Sequence, residues 1–103
     1  MNRARRTRRP TSPGEILRDD FLKPMGLTQK ELADHLAIDI KTVNRIVNGR
    51  SAVTPELAVM LGLTFGTTPV LWLNAQMAVD LFDAEKNLAR RPGRIQVRRL
   101  RAG

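Results

Sequence analysis

Between Ile40 and Asn48 the chain puts two kinds of side chain on opposite sides of a helix. At 100° per residue, Ile40, Val43, Ile46 and Val47 share one sector, while Lys41, Thr42, Asn44, Arg45 and Asn48 fill the other. The first sector is purely aliphatic. The second offers ammonium, guanidinium, amide and hydroxyl groups and no carboxylate. Lys and Arg can donate to guanine O6 and N7, Asn can pair with adenine, and Thr can meet a phosphate or the thymine methyl group. This set suits a helix whose back rests on a core and whose front enters a DNA major groove. Any amphipathic surface helix shares part of the pattern, so its weight depends on what surrounds it.

The flanking sequence supplies unusually firm helix boundaries. Ser12-Pro13-Gly14-Glu15 reads as an N-cap, a proline at the first helical position and the carboxylate of a capping box. Ile16, Leu17, Phe21 and Leu22 form the buried face of this first helix, which Pro24 and Gly26 are expected to end. Thr28-Gln29-Lys30-Glu31 is a second capping box. It opens a short helix with Leu32, Ala33 and Leu36 inward. Ala37-Ile38 makes a tight connection, Asp39 caps the next helix, and Asn48-Gly49 ends it, with Gly49 free to turn left-handed. Thr54-Pro55-Glu56 starts a fourth helix to about Phe65, with Leu57, Ala58, Leu61 and Leu63–Thr64 packing. Gly66 stops it. Thr68-Pro69 starts the fifth and longest, to about Leu88. The expected fold is all-α: five helices over residues 12–88, with the motif at about 28–48, between basic arms at 1–11 and 89–103 that are read as disordered.

The fifth helix has more apolar surface than one core requires. Val70, Leu73, Met77 and Leu81 make one stripe; Leu71, Ala75, Ala78 and Phe82 make another, which Trp72 and Val79 extend. A helix on the outside of a small domain needs only one such stripe. Either this helix is central to the core, or Leu71, Trp72, Ala75, Ala78, Val79 and Phe82 meet a second copy across a two-fold axis.

At 103 residues the chain is one small domain with tails. The net charge of +8 resides in the arms. Five arginines precede Pro10 and six follow Leu88, leaving seven basic against ten acidic residues between them, a net charge of −3. The middle must therefore attract DNA by local charge placement, and the arms by bulk charge. The absence of cysteine excludes disulfides and thiolate chemistry and fits a cytoplasmic protein. No uncharged apolar run approaches the roughly 18 residues of a membrane span. The sequence shows no metal-ligand cluster, phosphate loop or nucleophile–base pair, so neither an enzyme nor a cofactor is expected. His35, the sole histidine, reads as a surface residue. The run 94–100 alternates briefly like a strand, leaving three options: disorder, pairing with a second copy, or addition to a partner's sheet.

Two helices joined by a tight turn, the second polar on its outer face, constitute a helix-turn-helix. Leu27-Thr28-Gln29-Lys30-Glu31-Leu32-Ala33 and Ile46-Val47-Asn48-Gly49-Arg50 resemble the Cro/repressor-type (XRE) family. Ala33 stands where the helices cross and only a small side chain fits. The turn often carries glycine where this chain has Ala37. If that position needs positive φ, alanine costs roughly 1 kcal/mol, and the turn is expected to adjust. The segments from Pro13 to Pro24, Val53 to Glu56 and Phe65 to Gln76 are further similar to HigA/VapI-type antitoxins. The resemblance implies a dimer that binds its own operator and neutralises a RelE/HigB-like mRNA interferase. It assigns base reading to Lys41, Thr42, Asn44, Arg45 and Asn48, phosphate contact to Thr28 and Gln29, and a backbone anchor to Arg50. The competing readings are a solitary XRE-type regulator and, less favoured, a protein- or RNA-interaction module. The shortage of exposed aromatic residues for base stacking weighs against RNA.

Overall fold

All five helices begin at the side-chain caps read from the sequence. The computed structural model describes residues 8–91 and 97–101. Helix α1 runs through Pro13–Ile16, a π-helical Leu17–Leu22 and a last turn Lys23–Met25. It is followed by α2, Gln29–Leu36, α3, Ile40–Val47, α4, Pro55–Phe65, and α5, Pro69–Ala89. Ser12 and Thr28 form complete capping boxes with Glu15 and Glu31. The Asp39 carboxylate accepts from Lys41 N–H, and the Thr54 and Thr68 hydroxyls accept from Leu57 and Leu71 N–H. Among the described residues there is no strand, and 97–101 have no regular structure; residues 94–96 lie outside the described set.

Of the two residues expected to end α1, Gly26 does and Pro24 does not. The helix continues through it and stops at Gly26, whose φ of 62° is left-handed. Just before the proline the turn widens: Lys23 N–H donates to Arg18 carbonyl, five residues back. A proline has no N–H to place, and the wider turn relieves its ring against the upstream carbonyls.

The α2–α3 turn also departs from expectation. It does not adjust to avoid the left-handed region; Ala37 adopts φ 56°, ψ 43°. The local geometry holds it there. Ile38 N–H donates to Ala33 carbonyl at 3.0 Å and Ala37 N–H to Asp34 carbonyl at 3.2 Å, a Schellman-type closure, while Ile38 packs on the core. The strain is retained because these bonds and that packing offset it. Ala37→Gly is therefore expected to raise the unfolding free energy by about 1 kcal/mol in a urea titration. A variant no more stable than the parent would refute the strain.

The core is formed by Leu17, Leu22, Leu32, Ala33, Leu36, Val43, Ile46, Val47, Val53, Leu57, Ala58, Leu61 and Trp72. Trp72 is completely buried and donates its indole N–H to the Thr67 hydroxyl at 2.8 Å. Phe21, Phe65 and Trp72 form a cluster of three tilted rings, with Phe21 4.7 Å from Phe65 and 5.5 Å from Trp72, centroid to centroid. Two residues expected inside are outside. Ile40 is exposed because it is the first residue of α3, one turn before Val43 reaches the core. Leu63 is 82% exposed, because it lies opposite the Leu57–Ala58–Leu61 arc of α4.

The first turn of α1 sits directly on the last turn of α3. A Cβ on Gly14 would lie 2.0 Å from Ile46 carbonyl oxygen and 2.7 Å from that of Val47. Gly14 thus sets how closely α1 can support α3 from behind.

Candidate nucleic-acid interface

Helix α3 is eight residues long and, apart from Ile40, divides as its sequence predicts. Val43, Ile46 and Val47 are buried, whereas Lys41, Thr42, Asn44, Arg45 and Asn48 are exposed. The aliphatic side is held by α2 beneath and by the glycine approach of α1, so the polar side faces outward on a rigid support.

The amide side chains on this surface are already organised. Asn48 Nδ2 donates to Asn44 Oδ1 at 3.2 Å, and Asn44 Nδ2 donates to Gln29 Oε1 at 3.2 Å. The relay crosses from the end of α3 to the first residue of α2. It leaves the Nε2 of Gln29 and the Oδ1 of Asn48 at its two ends. Side chains held in place before binding lose less conformational freedom on meeting a base edge.

The remaining predicted residues surround this relay. Thr28 is exposed, and its hydroxyl accepts from Glu31 N–H at 3.0 Å while Glu31 Oε1 accepts from Thr28 N–H at 2.9 Å. Gln29 is half-buried as the first residue of α2, next to N–H groups that the helix itself cannot use. Lys41 and Arg45 project from α3, and Arg50 is fixed just beyond it, its N–H donating to Arg45 carbonyl at 2.7 Å. The eight residues therefore share one surface formed by the start of α2, the outer side of α3 and the loop that follows. Asp39 stands at its edge with its carboxylate engaged by Lys41 N–H at 2.8 Å, which keeps that charge in the cap. His35 is exposed.

The residues assigned to a dimer face are divided by the structure. Trp72 and Val79 are inside the protomer, at 0% and 2% exposure, and have no surface left for a second copy. Ala75, Ala78 and Phe82 are half-buried on the shoulders of α5, and Leu71 is exposed. The solvent-facing pole of α5 is the other stripe: Val70, Met77 and Leu81, each more than half exposed, and Leu88 beyond them. The sequence shows both stripes but not which one the core takes, because that depends on where α4 and the Phe21–Phe65 pair lie.

Two features have no counterpart in the sequence pattern. Gln76, a polar residue in the middle of α5, accepts from Val53 N–H at 2.9 Å and donates to Asp80 at 3.0 Å, tying the loop after α3 to α5. Arg9, expected in a disordered arm, makes a two-point ion pair with Asp83 at 3.1 and 2.8 Å. The hydrogen-bonded guanidinium holds the Asp83 carboxyl below its ordinary pKa. Neither partner's sequence neighbourhood signals a pairing across 74 residues. Residues 1–7 lie outside the described set. Among the described residues there is no group of metal-ligating side chains, and no helix is long and apolar enough to cross a membrane.

Residues 20–73 match the family described as Helix-turn-helix (HTH_3). The chain is 48% identical over 81 residues to an uncharacterized HTH-type transcriptional regulator of Haemophilus influenzae, covering 79% of this chain and 76% of that one. It is 46% identical over 76 residues to the Antitoxin HigA-1 of Vibrio cholerae serotype O1, covering 74% and 71%. Among solved structures, one described as the Pseudomonas aeruginosa antitoxin HigA with higBA promoter superposes with a TM-score of 0.76 at 35% identity, covering 85% of this chain and 97% of that one.

Proposed function

From the premise that this chain belongs to the XRE-type helix-turn-helix family, we propose that it is a DNA-binding repressor of its own promoter and the antitoxin of a HigBA-type operon. The observation that carries the first part is the division of α3, with four exposed hydrogen-bonding side chains, and a fifth on its C-cap Asn48, over a buried aliphatic back. In this reading Lys41, Thr42, Asn44, Arg45 and Asn48 meet base edges, Thr28 and Gln29 bind a phosphate at the start of α2, and Arg50 anchors the backbone beyond. A relative that carries its promoter, at 35% identity over most of the chain, supports the assignment. The protein works in the cytoplasm, where that DNA is.

Arg45→Ala is expected to lower affinity for the promoter duplex by roughly 1–3 kcal/mol, and Asn44→Ala to change base preference, since it also releases Gln29 and Asn48. Both are read by gel shift on the DNA upstream of the gene. Wild-type binding by both variants would remove α3 as the reading helix.

We place a two-fold dimer on the exposed pole of α5, through Val70, Met77 and Leu81 with Leu71 beside them. Four apolar side chains facing water on one helix are costly for a monomer and ordinary for a subunit. The toxin partner rests on similarity to the Vibrio antitoxin. Co-expression with a RelE-like protein encoded next to this gene tests it, by growth rescue and co-purification. The second reading, a solitary regulator, is favoured by the Haemophilus relative. It prevails if no such neighbour is encoded.

A further inference from the structure

The N-terminal arginines do not leave the domain at an arbitrary point. Ser12 and Gly14 lie against the C-terminal turn of α3, with Gly14 packed on the Ile46 backbone. Arg9, three residues before Ser12, is clamped to Asp83 on α5. Arg9, Ser12, Gly49, Arg50, Asp80 and Asp83 line one cleft beside the loop that follows α3. The segment before Arg9 therefore joins the domain next to Arg50, at the edge of the interface described above. It carries Arg3, Arg5, Arg6 and Arg8 and not one acidic residue. Eight residues extend to about 25 Å, far more than the roughly 6 Å width of a minor groove.

We propose that the Arg9–Asp83 clamp is a positioning device that directs the arginine arm onto DNA phosphates flanking the site read by α3. This rests on the operator-binding reading and extends its footprint. The clamp adds little to stability, because both partners are nearly half exposed. What it does is fix the exit of the arm. Without it, Arg9 has no tether to α5 and the arginines that precede it act at lower effective concentration. Asp83 and Asp80 also face the cleft as carboxylates, so the clamp neutralises one of the two charges that would otherwise repel phosphate there.

The test is fluorescence anisotropy of the full chain on the promoter duplex across a salt series, with four proteins: wild type, Arg3→Ser/Arg5→Ser/Arg6→Ser, Asp83→Asn, and the two sets combined. Substitution of the three arginines is expected to make the slope of log affinity against log salt shallower by about 2–3, at roughly 0.9 for each phosphate that is no longer neutralised, and to weaken binding about tenfold or more at low salt. Asp83→Asn is expected to weaken binding roughly threefold or more with the arm intact and to have no effect once the three arginines are gone. A three-arginine variant with the wild-type slope overturns the proposal. So does Asp83→Asn binding equally well or more tightly, the result expected if the carboxylate merely repelled DNA. Wild type that fails to bind the duplex at any salt overturns the operator reading itself, and this inference with it. Unchanged thermal unfolding of each variant, expected from exposed sites, keeps the comparison on binding.

Discussion

Gly14→Ala is expected to destabilise the protein by about 3 kcal/mol, lowering Tm on the order of 15 °C. The added methyl would meet backbone, not the end of a flexible side chain: Ile46 carbonyl at 2.0 Å, and the oxygen and carbon of the Val47 carbonyl at 2.7 and 2.9 Å. Relief requires α1 to withdraw from α3 by about 1 Å, and interiors packed to native density cannot give that much without opening voids. Leu17, on α1, and Ile46 and Val47, on α3, are core residues and would part together. A small domain has only about 5–15 kcal/mol in total, so this one methyl removes a large share. Weaker promoter binding should accompany the loss, since α1 supports α3 from behind at this point. Thermal unfolding followed by circular dichroism gives the measurement. A Tm within a few degrees of wild type would mean that α1 can shift at little cost.

The second large effect is expected from Met77→Glu combined with Leu81→Glu. Both side chains are more than half exposed in the protomer, so the substitutions should leave its fold intact. In the proposed dimer they place four carboxylates about one two-fold axis with no basic partner on the same stripe. Light scattering should then report monomers. Affinity for the promoter duplex should fall by about 10²–10⁴, the advantage of binding two half-sites through one linked pair. The same substitutions in a chain that remains dimeric would relocate the interface, and an unchanged affinity would make dimerisation irrelevant to binding.

The helix starts were legible because a cap is a local device. Ser12, Thr28, Asp39, Thr54 and Thr68 each satisfy an N–H two or three residues away, and five residues of sequence are enough to see it. The surface of α3 was legible for the same reason, since eight residues carry both of its faces. Pairings between distant segments were not. Arg9 and Asp83 are ordinary exposed charges until the fold brings them together. Gln76 looks like solvated polarity until Val53 N–H needs an acceptor. Leu63 and Leu61 differ by two positions on one helix, and only the location of the core tells the buried one from the exposed one. Gly14 did carry a signal, because glycine in a helical turn costs about 1 kcal/mol and its presence there calls for a steric reason. At Ala37 the residue type argued against a left-handed conformation, and only the glycine that similar turns often carry pointed to the one that the closure around Ile38 imposes.

The single tryptophan of this chain, sealed in the core with its N–H bonded to Thr67, is also an optical instrument. Its surroundings are built by the protomer's own core, so its emission is expected to be the same in the free protomer and in the proposed dimer and DNA complex. Intrinsic fluorescence therefore reports folding alone, undisturbed by ligand, and can be read in the same cuvette as a labelled duplex. Unfolding and dissociation can thus be separated without modifying the protein.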